Sequence, residues 1–414
     1  TFNSKVKAVV EGVTAESTGM FALTANSSSE VTVSNSKFKA GFGAVRVNGK
    51  AVVNYPEGMV MSSMPNEEGY YTLIKAEDYV PRKAVQIGET YYEDFDSAIA
   101  AAKDGDTIVL LMDAAAIASS TLGDAEVPAS TTVDLNGHKL GIVGRLTLNQ
   151  TLTITDSTGK KSDLVFSGDI YAKATAGLIL KGLTISSSGN SIVSWMANDT
   201  GLQIEDCTIH QEDSVLLNGQ SGFSAPVRIK NCEITGTEKA GKSGYFSLRM
   251  EAMEAGKVVI EDTTIRVADN GTYALYLDCG NAIVRNCTIS GGKYGVSISD
   301  DTNVTVEGGN NITGTEAAIK AGTKKSITVN AGTYNTNGAY AVSGSRSMVT
   351  VNGGTFQGSE GAADGLVIVP DGKKLALNAN NRWALTDKTG NEPEEVAVAQ
   401  IIFEDGSTKN VSSL

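Results

Sequence analysis

The stretch VRIKNCEI (227–234) places Arg228 and Lys230 two residues apart and Cys232 two further on. In an extended chain alternate residues share a face, so both cations project together. Such a pair could grip a carboxylate. Cysteines hold the same frame in LQIEDCTI (Cys207) and AIVRNCTI (Cys287), and Cys279 stands apart. A thiol beside a base could act as a nucleophile, and several converging thiols could hold a metal. Only two histidines, His138 and His210, are present to act as such a base. Asp278, Asp300 and Glu316 are the carboxylates at hand for acid–base or cation-binding chemistry.

These residues sit in a repeat, and the repeat decides what they can do. Strands starting at Leu178, Leu202, Val227, Val258, Ala282, Val304, Ile327 and Val349 recur every 22 to 31 residues. Each unit is a short alternating strand, a polar or glycine turn and a further apolar residue. A second strand follows, as in YALYLD from 273, YGVSIS from 294 and YAVSG from 340. The period is too short for a propeller blade, and no helical 3.6 period runs inside the units. Equivalent strands therefore stack in parallel, about 4.8 Å apart, with inward side chains forming one core. A sandwich of short strands would not demand one residue frame in eight successive units.

Composition agrees. The chain has 414 residues, with 45 Gly, 7 Pro and 41% apolar residues, enough for a core. Net charge is −13, which excludes nucleic acid as a partner, because polyphosphate binding needs clustered Lys and Arg. The same charge disfavours an acidic polysaccharide unless a cation such as Ca²⁺ bridges the two. No apolar run is long enough to cross a membrane. Four cysteines do not make a disulfide scaffold. The sequons, such as those at Asn149, Asn270 and Asn303, reflect a chain rich in Asn and Thr.

On these strands the chain resembles a right-handed parallel β-helix of the pectate-lyase-like superfamily. AVQIGETYYEDFDSAIAAAKDGDTIVLL (84–111) resembles the opening segment of such helices, with a short N-terminal capping helix at about 94–103 and a GDTI strand. Phe95, Ala98, Ile99 and Ala102 fall on one helical face, Asp94 can cap the start, and Gly105 follows the last turn. TTVDLNGHKL (131–140) resembles a first rung. VTVSNSKFKAGFGAVRVNGKAVV (31–53) reads as another rung, and Thr1 starts inside a repeat. The expected organisation is the tail of a preceding β-helix (1–65), a linker (66–85), a β-helix (86–385) and a C-terminal cap or hairpin (386–414). Such arrays resemble repeat domains of large gut-bacterial cell-surface proteins. The resemblance implies an extracellular location and a monomer, but the fold hosts adhesins and stalks as well as lyases and hydrolases.

Stacking turns the sequence into columns. Lys181, Glu205, Lys230, Glu261, Arg285 and Glu307 point outward with alternating sign. Arg228 and Lys230 match the R-I-K triplet of polygalacturonase-like enzymes, where it binds a sugar carboxylate. The accompanying Asn-Thr-Asp and His-Gly patterns are absent, so the triplet reads as part of a charge ladder that leaves only Arg228 free for a ligand. A lyase of the resembling superfamily would grip Ca²⁺ with several acids; otherwise no cofactor is expected. Cys207 and Cys232 read as members of a buried thiol column, with Thr263 between Cys232 and Cys287. On the second strands Leu275, Leu277, Val296, Ile298 and Ile319 point inward. Arg249, Tyr276, Asp278, Ser297, Ser299, Lys320 and Ser343 then point out, and Arg249, Tyr276, Asp278 and Lys320 are the candidate ligand-binding residues. The expected function is a non-catalytic surface module (adhesin, stalk or glycan-binding) whose partner is a polysaccharide or a host glycan or protein. The alternative is a carbohydrate-active enzyme such as a polysaccharide lyase or glycoside hydrolase.

Overall fold

A computed structural model describes the chain except residues 4, 19–20, 42, 48–49, 118–124, 174–175, 188–190, 197–200, 213–214, 224–225, 238–245, 269–270, 300–301, 323–325, 345–346, 390–398, 403–407 and 412–414. The protein is all-β, a right-handed parallel β-helix solenoid with one short α-helix among the described residues. It divides into two compact units, 1–171 and 172–414.

In the first unit, strands Lys7–Glu11, Glu30–Ser34 and Val52–Asn54 stack in parallel. Thr14–Glu16 stacks on Lys37–Lys39, and Phe21–Ala25 on Gly43–Val47. Val31, Val33, Phe38, Leu23 and Ala25 form a buried core between these faces. The stretch read as a linker contributes the strand Tyr71–Lys75, antiparallel to Lys37–Lys39 and Met59–Met61. Further along, Thr107–Leu110, Thr131–Asp134 and Leu152–Thr155 stack in parallel. The helix spans Phe95–Ala101, and the Asp94 carboxylate accepts from the Ser97 amide at 2.7 Å. Its buried face, Phe95, Ala98 and Ile99, lies toward strands Ala114–Ile117 and Ala125–Val127. The helix is thus not N-terminal, as the sequence reading had it. Strands precede it, and what it covers is the rung that follows. Covering that rung shields apolar side chains and strand edges that would otherwise recruit another chain.

The second unit has three faces. On the first, Leu178–Lys181, Leu202–Glu205 and Val227–Lys230 stack in register, and the ladder continues through 258–261, 282–285, 303–307 and 326–329 to Met348–Val351. The single apolar residue expected after the turn proves to be the centre of a second-face strand. Thr184–Ser187, Thr208–Glu212, Glu233–Thr237 and Thr264–Val267 carry Ile185, Ile209, Ile234 and Ile265 inward. The next inward position holds Ser187 in one strand and Val267 in another, so the apolar alternation is too irregular for a strand to be read from sequence. The third face holds the strands expected from 191, 245, 273, 294, 317 and 340, with Tyr245 itself outside the described residues. The predicted inward residues of the first and third faces are buried, Leu275, Leu277, Val296 and Ile319 completely. A closing hairpin, Lys373–Leu377 with Trp383–Asp387, pairs antiparallel to Thr355–Gln357. The tail forms a second hairpin, Ala399–Ile402 with Thr408–Val411; Asp405 and Gly406, which the sequence suggests for its turn, lie outside the described residues.

A left-handed residue makes the corner between first and second faces in six successive rungs. Gly182, Asp206, Asn231, Asp262, Asn286 and Gly308 have φ between 51° and 72°. Asn and Asp tolerate this region because their short polar side chains bond locally. Here the side chains bond across rungs: Asn231 Nδ2 donates to Asp206 Oδ1 at 2.7 Å, and Asn286 Nδ2 to Asp262 Oδ1 at 3.1 Å.

Candidate functional site

The charge ladder forms in the expected register, Lys181 opposite Glu205, Glu205 opposite Lys230, Lys230 opposite Glu261, Glu261 opposite Arg285, and Arg285 opposite Glu307. Glu261 is its hub. Only 8% exposed, it lies 2.6 Å from Arg228, 3.9 Å from Lys230 and 3.7 Å from Arg285. Arg228, expected to be free, is therefore occupied: its guanidinium donates twice to Glu261 Oε1. The bond holds the Arg228 guanidinium above its ordinary pKa, with the Glu261 charge adding to the effect. A long side chain on an outward position reaches diagonally to the next rung, which strand register alone does not reveal.

The cysteines Cys207, Cys232 and Cys287 are buried and free, each following a left-handed corner. Each thiol points at the carbonyl two residues back, at 3.2 Å. Thr263 fills the same slot, donating to the Glu261 carbonyl at 2.8 Å and accepting from the Cys232 amide at 3.3 Å. Asn310 completes the column, accepting from the Cys287 amide at 2.7 Å. In the rung before Cys207 the same slot holds Leu183, fully buried, so the column mixes an apolar side chain with ones that bond the backbone. Burial pushes Cys279 up to about 12 and Cys287 up to about 11. A hydrogen bond with Cys232, then burial, pushes Cys207 up as well. Cys232 is lowered instead, by its hydrogen bond with Cys207 against the burial that opposes it, and its 4% exposure is what shields it. Thiols held protonated or buried are poor nucleophiles.

The remaining titratable groups are dispersed. His210 is exposed and bonds Thr235 at 2.7 Å. His138 stands in a turn, 3.8 Å from Asp113. Asp278 accepts from Ser299 at 2.6 Å, and Glu316 pairs with Lys293 at 3.1 Å. Asp300 lies outside the described residues. Among those described, no three His, Cys, Asp or Glu side chains converge on one point. The most strongly shifted carboxylate, Asp156, has a structural explanation. Burial raises it, but bonds from Thr158 and Ser162 outweigh this and bring it down to about 2.

The third face is where aromatic and charged groups gather. Arg249, Tyr276, Ser297, Lys320 and Ser343 fall in one register column over five rungs. The Arg249 side chain lies outside the described residues. Asp278 stands in the neighbouring column, beside Ser299. Ser297, expected outward and open, is only 6% exposed, because the longer Tyr276 and Lys320 flank it on the adjoining rungs. Sequence reasoning missed the tyrosines that start these strands. Tyr273 stacks on Tyr294 with centroids 5.9 Å apart, and Tyr276 lies 5.5 Å from Tyr273. Lys320 Nζ sits 4.2 Å over the Tyr294 ring and donates to its hydroxyl at 3.1 Å. That hydroxyl donates to Glu316 at 2.7 Å, and this bond, with Lys293, holds the Glu316 carboxyl below its ordinary value. The signal was present: Tyr273, Tyr294 and Tyr340 hold the first position of YALYLD, YGVSIS and YAVSG.

The fold and this face define a parallel β-solenoid bearing a half-exposed tyrosine platform. Comparison of the chain with protein-family models, curated proteins and solved structures finds no match in any of the three.

Proposed function

We propose that the chain is a non-catalytic module of an extracellular or cell-surface bacterial protein, an adhesin or stalk that binds glycan on its third face. The observation that carries this reading is the Tyr273–Tyr276–Tyr294 platform with Lys320 and Glu316 fixed around it. Aromatic faces on a rigid sheet receive the apolar faces of sugar rings, and fixed polar groups at the rim orient the hydroxyls. The pairing of Arg228, Lys230 and Arg285 with Glu261 supports the non-catalytic part, since the cations that a uronate-cleaving enzyme would use are already engaged by a carboxylate of the protein. Glycan-array binding by the whole chain and by Tyr294→Ala tests the reading. Wild type should retain one or more glycans that the variant loses. Release of unsaturated uronates from a polyuronate would overturn it in favour of a lyase.

A further inference from the structure

A second surface stands at the corner where the second face turns into the third. It is a groove of about 330 Å³, within the range of small-ligand sites. Thr313, Asn335 and Gln357 occupy one outward column on three successive rungs. Thr315 and Asn337 supply the turn side of the groove, and Gly292 leaves one end bare of side chains. No charged residue lines it.

The polar groups here divide in two. Some are committed to building the groove. Thr315 donates to the Gly292 carbonyl at 3.2 Å. Arg382, from the closing hairpin, donates to Asn335 Oδ1 at 2.6 Å and so fixes the amide plane. Others are open: among the described residues, the Thr313 hydroxyl and the Asn337 and Gln357 amides have no hydrogen-bond partner, nor does the Asn335 amide nitrogen. Elsewhere on this solenoid outward Asn side chains bond across rungs, as Asn231 does to Asp206 and Asn352 to Asn330.

We propose that this groove binds a linear, uncharged oligosaccharide lying along the solenoid axis. Hydroxyl and amide groups offer donors and acceptors together, which is what a sugar hydroxyl needs and an anion does not. The rungs repeat about every 4.8 Å, so Thr313, Asn335 and Gln357 are spaced on the scale of single sugar rings along the axis. A lining without cations gives no preference for uronates, and one without apolar pockets gives no purchase for peptide side chains. The inference shares only its ligand class with the platform described above; the residues are different.

Titration calorimetry of the whole chain, with neutral β-1,4-glucan, β-1,4-mannan and α-1,4-glucan hexasaccharides and with oligogalacturonate, tests it. At least one neutral hexasaccharide should bind. The exposed pair Asn337→Ala with Gln357→Ala should weaken that binding about tenfold or more, the loss of one or two net hydrogen bonds. Tyr294→Ala and Lys320→Ala should leave it unchanged, and so should added salt. Failure of all three neutral probes, or binding that survives the Asn337/Gln357 change, overturns the proposal. So does binding confined to oligogalacturonate. Loss through Tyr294→Ala alone assigns the sugar to the tyrosine platform and likewise overturns the groove.

Discussion

Replacing Asp156 by Asn should loosen one turn of the first unit and remove its acid sensitivity. The carboxylate gathers five donors: the amides of Gly137 and Thr158 at 3.1 Å, the Thr158 hydroxyl at 2.7 Å, and the amide and hydroxyl of Ser162 at 3.0 Å. These bonds favour the ionised form and, against the burial that opposes it, lower its pKa from 3.8 to about 2. One pKa unit corresponds to about 1.4 kcal/mol, so the shift is worth roughly 2.4 kcal/mol before screening. The side chain is 7% exposed but lies in a surface turn. Allowing for solvent screening leaves about 1–2 kcal/mol. An asparagine keeps the shape but turns an NH₂ toward donors, so the loss near neutral pH should be about 2 kcal/mol. The sign follows from a depressed carboxylate. The stabilisation is present above the unfolded pKa and is lost as pH falls from about 4 toward 2. Because solenoids open locally, the assay is hydrogen exchange at the Gly137, Thr158 and Ser162 amides, wild type against Asp156→Asn. The gap between the two should be full near pH 6 and shrink toward pH 2. No gap near pH 6, or a gap that ignores pH, would refute the reasoning.

Glu261→Gln takes the carboxylate from Arg228 and weakens the field around Lys230 and Arg285, which keeps Glu307 at 2.5 Å; it should cost about 1–3 kcal/mol in urea unfolding, with the cost rising at low salt. Asn231→Val forces a β-branched residue to a φ of 51°; it should destabilise by about 1–2 kcal/mol, whereas Asn231→Gly should cost less. The four thiols should resist alkylation near pH 8 in the folded protein and react quickly in denaturant, as mass spectrometry would show; fast labelling of Cys207 or Cys287 under native conditions would contradict their burial. Gly314→Ala places a Cβ 2.1 Å from the Ala317 carbonyl, so thermal unfolding should begin earlier than in the wild type.

The candidate site was legible in part. The frame of LILK, LQIE and VRIK fixed which residues face out, so the charge ladder followed from sequence. The partner of Arg228 did not, because a flexible side chain chooses between neighbours on adjoining rungs. Tyr276, Asp278 and Lys320 were found from alternation alone. Tyr273 and Tyr294 were passed over because they open their strands, where alternation has no preceding residue to establish a face. The groove was invisible for another reason: Thr313, Asn335, Asn337 and Gln357 are ordinary surface residues until three rungs stack.

Repetition by itself determined the parallel solenoid. Short alternating strands recurring every 22 to 31 residues leave apolar faces that only neighbouring copies can cover. The cap on the helix and the polarity of the ladder were likewise local, set by residues one to four apart or one repeat apart. Tertiary structure decided the rest: the second-face strand in each rung, the burial of Ser297, and the capture of Arg228 by Glu261. It also decided which polar side chains are spent on one another and which remain open. These are properties of corners and side-chain reach, and they exist only once the chain has coiled.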